Sequence, residues 1–198
     1  MNVSLRSVLG ALHNDSLCRE RSLEQLVDAA ERSRSKRARA TARIIARALV
    51  TDANESVRLK ATEALGEVGN RRDFHALQIC SQDSRWEIRA SAYSSMASAA
   101  GRVALTQIRT GLSDPNPIVR RYAAVALFDV SGCAAQNELK ELSDRESNKA
   151  ARVGILYGLS RCGDTVAAGE LKALCSETDP HVSSAAAELL RELPLACK

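Results

Sequence analysis

The side chains able to act as nucleophile, general base or metal ligand are sparse in this chain and lie apart. His13, His75 and His181 fall far from one another, and none belongs to an H-E-x-x-H or similar ligand spacing. A cysteine nucleophile needs a base to hold it as thiolate, and no histidine can be assigned to Cys18, Cys80, Cys133, Cys162, Cys175 or Cys197. Cys80 and Cys175 fall toward the ends of helices and read as small buried hydrophobes. No G-x-S-x-G elbow, phosphate-binding glycine loop or dinucleotide fingerprint occurs. No catalytic or metal-binding residue and no cofactor is expected, and enzymatic activity is disfavoured.

Positive charge is what the chain does concentrate. Residues 32–47, RSRSKRARATARIIAR, carry seven basic side chains and no acidic one, although the whole protein has a formal net charge of only +4. Within this run Arg39, Arg43 and Arg47 recur every four residues, on one face of a helix. Like charges at that spacing repel by a few tenths of a kcal/mol, on the order of the gain from an opposite pair. A stripe that keeps such repulsion points to an acidic partner.

The elements that must carry these residues are helices, and they repeat. Asp52 to Leu65, Asp83 to Met96, Asp114 to Leu127, Glu146 to Leu159 and Glu177 to Leu190 superimpose. Their aliphatic column Val57, Ile88, Val119, Ala151, Val182 steps by 31, 31, 32 and 31 residues. In the central copy, Val119, Ala123, Ala126, Leu127 and Val130 form one apolar stripe. Asp114 is expected to cap that helix and Pro115 to be its first residue. Between copies stands a glycine column, Gly69, Gly101, Gly132 and Gly163, expected to be left-handed helix caps. A shorter helix with apolar residues three or four apart follows each, so the unit is helix A, glycine turn, helix B.

An aspartate, V-R five and six residues on, A-x-x-A-L, a glycine turn and a short L-x-x-L helix resemble the short form of the HEAT-like repeat. That form is known from phycobilin lyase and phycobilisome-associated proteins. The resemblance spans about residues 22 to 192. It implies an all-α, right-handed solenoid of about five to six two-helix repeats with a period of 31 residues. The expected organisation is one solenoid over residues 1–198, with an N-terminal cap at 1–21, repeats at 22–176 and a terminal half-repeat at 177–198. Val3 to Leu12 is expected to form a capping helix. Ser22 to Ser33, capped by Ser22, reads as the first helix A, with Arg39 to Val50 as its partner. Pro194 stops the last helix.

Composition agrees with a soluble repeat chain of 198 residues, 45% hydrophobic and 26% charged. The longest apolar run, Ile44 to Val50, contains Arg47 and is far short of the roughly 20 residues that span a bilayer. No C-x-x-C spacing, metal pattern or signal peptide accompanies the cysteines, which makes a reducing cytoplasm the simplest setting.

Repetition also copies surface positions. The aspartate and arginine columns (Asp52, Asp83, Asp114; Arg58, Arg89, Arg120, Arg152) read as turn-holding and unit-linking residues. Next to the helix B core column Leu77, Ile108, Leu139, Leu171 runs Arg47, Gln78, Arg109, Lys140, Lys172, four of the five basic. In related repeat proteins helices B line the concave face, which would make this column a positive ridge; long side chains beside a core residue are also simply well solvated. Trp86, in the first turn of a helix A, reads as a partner anchor or as the seal of a repeat junction. The candidate partner-binding set is Arg37, Arg39, Arg43, Arg47, Gln78, Trp86, Arg109, Lys140 and Lys172.

Three functions remain open at this point. The first is a non-catalytic scaffold or adaptor whose groove, basic toward its N-terminal end, docks an acidic protein surface or peptide. The second, implied by the resemblance, is a phycobilin lyase subunit or phycobiliprotein chaperone. The third is a binder of nucleic-acid phosphates, for which six aromatic residues supply few stacking platforms.

Overall fold

The computed structural model describes residue 8 and residues 10–33 and 35–193. Among these there is no strand, and the chain is an all-α helical-repeat solenoid. Two compact units divide it, Met1–Ala104 and Leu105–Lys198. In the first, α1 (Ser16–Ser33), α2 (Lys36–Leu49) and α3 (Glu55–Val68) pack on one another. A 3-10 turn, Arg71–Asp73, then leads into α4 (Phe74–Cys80), and α5 (Trp86–Ala99) closes against α3 and α4. The second unit holds α6 (Leu105–Gly111), α7 (Pro117–Ser131), α8 (Gln136–Arg145), α9 (Lys149–Arg161), α10 (Thr165–Leu174) and α11 (Pro180–Arg191). There α9 is the hub, packing on α7, α8, α10 and α11. The expected helix Val3 to Leu12, and Pro194, lie largely or wholly outside the described residues.

Periodic apolar residues make these helices because each has an adjacent repeat to bury them against. Val57, Ile88, Val119, Ala151 and Val182 are all buried, as are Leu77, Ile108, Leu139 and Leu171. Leu127 is also fully buried.

Helix starts differ from those expected. Helix α7 begins at Pro117 behind the cap Asn116, whose Oδ1 accepts from Ile118 N, two residues later than the Asp114–Pro115 start. Asp114 instead closes an Asx turn ahead of the cap, accepting from Asn116 N at 2.9 Å. Asp52 does the same before the cap Asn54, and Glu146, one methylene longer, makes the analogous bond by accepting from the amide of the cap Asn148. The first helix A begins at Ser16, where Asp15 Oδ1 accepts from Leu17 N, and Ser22 is buried within the helix rather than capping it.

Gly101, Gly132 and Gly163 adopt the expected positive φ, but Gly69 does not, at φ −72°. Glycine is needed at 69 for space instead. A Cβ there would strike the Leu65 carbonyl oxygen.

Two cysteines are joined, which C-x-x-C spacing could not reveal. Cys133 follows Gly132 and Cys162 precedes Gly163, so two successive glycine turns bring their Cα atoms to 5.4 Å in a disulfide. This bond withdraws the cysteine pattern as an argument for a reducing compartment. Closing the 29-residue separation restricts the unfolded chain by about 3.6 kcal/mol in the loop-entropy account.

Candidate functional site

Most arginines of the repeat column are saturated. Arg58 donates from Nε and Nη2 to both oxygens of Asp83, at 2.7 and 3.1 Å, and from Nη1 to the carbonyls of Asp52 and Ala53. Arg120 repeats this on Glu146, with Nη1 on the carbonyls of Asp114 and Pro115. Arg19, which the repeat alignment passed over, pairs with Asp52 in the same way but hydrogen-bonds it through Nη2 alone, with Nη1 on the carbonyls of His13 and Asn14. Its signal was present: H-N-D-S-L-C-R matches D-A-N-E-S-V-R with the acid moved to the cap position. Arg152 differs, reaching the Ser143 and Glu146 carbonyls and, through Nη2, Glu170. Burial would raise the carboxyls of Asp83 and Glu146, but hydrogen bonds from their arginines and from the amides of Arg85 and Asn148 outweigh it. Both are held below the usual carboxylate range. Arg58 and Arg120 each make four hydrogen bonds within the chain, which leaves little of either guanidinium for a partner.

Helix α2 presents a different arrangement. Its buried face is Ala38, Ala42, Ile45, Ala46 and Leu49, and Ser35 caps it by accepting from Ala38 N. Lys36, Arg39, Arg43 and Arg47 line one flank of that face, whereas Arg37 lies about 160° from Arg39 around a helix of 3.6 residues per turn. Arg43 Nε and Arg47 Nε each stand 3.2 Å from a different oxygen of Asp73. Asp73 is completely buried, while Arg43 is 19% and Arg47 38% exposed. Asn70 fixes the acid through a capping box: its Oδ1 accepts from Arg72 N, and its own N donates to Asp73 Oδ2 at 2.8 Å.

Asp73 is the residue that reading for core columns missed. Counting by the repeat places it in the series Ala42, Asp73, Ala104, Ala135, Ala167, whose other four members are buried alanines. An acid in a small-residue core column cannot stay charged there unpaired. Arg43 and Arg47 come from the preceding helix B to meet it.

The remaining expected residues fall in several places. Arg39 and Arg37 are exposed. Gln78 is half-buried, and so is Trp86, the first residue of α5. Beside Trp86, a cleft of about 170 Å³ is lined by Glu55, Ser56, Leu59, Arg85, Glu87 and Ile88, and Arg85 bridges Glu55 and Glu87 across it. In the second unit Arg109 is closed onto Glu138 by a bidentate pair at 2.9 and 3.0 Å, which neutralises it. Lys140 and Lys172 are exposed.

Cys80 and Cys175 are placed as packing residues. Cys80 is buried, and that burial pushes its thiol up to about 11, so it is not a nucleophile at neutral pH. Half-buried Cys175 donates weakly to the Leu171 carbonyl. Among the described residues no group of three or more His, Cys, Asp or Glu could hold a metal ion. Nor is any described helix long and apolar enough to cross a membrane.

No family model matches the chain, and no curated protein matches it. Among solved structures it is similar to a designed armadillo repeat protein, with a TM-score of 0.50 and 20% sequence identity over 96% of this chain and 99% of that one. At that identity the likeness concerns the helical-repeat fold alone.

Proposed function

We propose that this protein is a non-catalytic interaction scaffold of the HEAT-like repeat type that docks an acidic protein segment. The observation that carries the reading is the contrast among its arginines. The column arginines are consumed by internal carboxylates and carbonyls, whereas Arg39, Arg43 and Arg47 keep donors that no described residue uses. Arg71 and Arg72, both exposed, flank Asp73 and extend the same positive region. On the second unit the exposed ammonium groups of Lys140 and Lys172 are the remaining basic positions of the helix B column. Arg109 drops out because Glu138 neutralises it, and Arg37 because it faces elsewhere.

A nucleic-acid partner would draw on the same charge, but it gains less here. The only aromatic among the exposed large hydrophobics is Tyr122, on the second unit with the Arg121 guanidinium 5.1 Å from its ring centroid. Phe74, which follows Asp73 in the chain, is half-buried rather than presented as an exposed stacking platform. The lyase or chaperone reading rests on resemblance without a residue to carry it.

The test is a titration of a fluorescent hexaglutamate peptide by anisotropy over a salt series, beside hexalysine and a random DNA duplex. Binding of hexaglutamate alone, weakening as salt screens charges beyond roughly 8–10 Å, is the expected result. Preference for the duplex would replace the protein-scaffold reading with the phosphate-binding one.

A further inference from the structure

We propose that Arg43 and Arg47, backed by the buried carboxylate of Asp73, form a two-guanidinium receptor for one aspartate or glutamate side chain of an acidic peptide. Asp73 acts as a positioning residue, and the inference rests on the docking function above.

The charge count is the first reason. One carboxylate needs one guanidinium, and Asp73 has two, so the buried acid leaves an excess positive charge on the α2 flank. A counter-ion role for the arginines would be complete with either alone. Repulsion between arginines four residues apart is tolerated because Asp73 lies between them.

The edge of contact is the second. At Arg58 and Arg120 the Nε–Nη2 edge grips a carboxylate and Nη1 is spent on carbonyls. At Arg43 and Arg47 the nearest approach to Asp73 is through Nε, and no Nη group makes a hydrogen bond among the described residues. Those Nη groups are not among the buried unsatisfied atoms, so they reach solvent. Two forks one helical turn apart, about 5–6 Å between Cβ atoms, can converge on a single carboxylate. Such charge-assisted, paired donation is roughly twice as strong as neutral hydrogen bonding.

The third reason is that the resting pairs are incomplete. Arg43 Nε and Asp73 Oδ1 are buried with no hydrogen-bond partner, although each stands 3.2 Å from its opposite charge. The Nη groups can take an incoming carboxylate while Nε of both arginines stays beside Asp73, so the buried acid keeps its counter-charges. The Asn70 amide holds Asp73 in place through Oδ2.

Hexaglutamate binding to the full chain separates this from a diffuse basic field. The charge-conserving double variant Arg43→Lys/Arg47→Lys removes the forks and keeps the charge, so its affinity should fall at least about tenfold. Arg37→Lys, on the opposite side of the helix, should remain within about twofold. Loss confined to the double variant supports the receptor. Equal affinities for wild type and double variant overturn it while leaving the docking function intact. If the wild type does not bind hexaglutamate even at low salt, the docking function fails, and the receptor with it. Displacement of the peptide by a random duplex at lower concentration overturns it in favour of phosphate binding. A measurement on unaltered protein covers the case in which the variants misfold. With an arginine-selective dicarbonyl, the peptide should protect Arg43 and Arg47 more than Arg37, and uniform labelling of all three would overturn the proposal.

Discussion

Arg58 and Arg43 both set Nε against a carboxylate of a later element in the same unit, yet they do opposite work. Arg58 sits where the helix A turn offers two carbonyls and the next repeat offers a bidentate acid, so the side chain becomes part of the frame. Arg43 sits on a helix B flank, where the repeat geometry offers no carbonyl and the single acid is shared with Arg47. The contrast teaches that in a repeat fold an arginine's availability depends on its register. Residue type and mean exposure say less, since Arg43 and Arg58 are similarly covered, at 19% and 17%.

The sharpest way to break the comparison is to delete one member. Arg58→Ala strands the largely buried Asp83 and two carbonyls, and should cost about 3 kcal/mol in urea unfolding, the lower end for breaking a buried pair. A loss under about 0.5 kcal/mol, typical of an exposed site, would remove Arg58 from the frame.

Acid should act on the frame next. Because the folded carboxyls of Asp83 and Glu146 lie below their ordinary values of 3.8 and 4.5, their contribution is complete above those values. It is lost as pH falls through the lower, folded values. Thermal unfolding followed by circular dichroism should therefore show stability dropping below about pH 4. In Arg58→Ala the Asp83 share of that drop should vanish. An unchanged acid limb would detach the pairing from stability.

Smallest is the effect of Arg43→Ala, expected at about 1 kcal/mol or less because Arg47 remains to neutralise Asp73. Should it match Arg58→Ala, the α2 pair would be frame as well, and the two regions would no longer differ.

Much of this was legible in residue order. A period of 31 held by Val57, Ile88 and Val119 sufficed for the helical pairs, because burial against a neighbouring repeat demands the same apolar position each time. Cap positions were less legible: Asp114 and Asn116 are both good caps by type, and only the backbone shows that the first makes the turn and the second starts the helix. Asp73 was readable as the odd member of an alanine column, but only once the minor core columns were aligned as well as the aliphatic ones. The closure of Arg109 onto Glu138 was not readable, since it depends on how one helix B is rotated against the next across 29 residues. For the same reason the basic column looked continuous in sequence, although its members differ in what they face.

The division between frame and receptor arginines is tested most directly by nitrogen-detected NMR of the arginine side chains as hexaglutamate is added. The account predicts that Arg58 and Arg120, locked on both edges, show slow rotation about Nε–Cζ and unmoved signals, while Arg43 and Arg47 rotate freely at first and then shift and slow together. Shifts at Arg58 or Arg120, or Arg43 and Arg47 signals that stay put while the peptide binds, would contradict it.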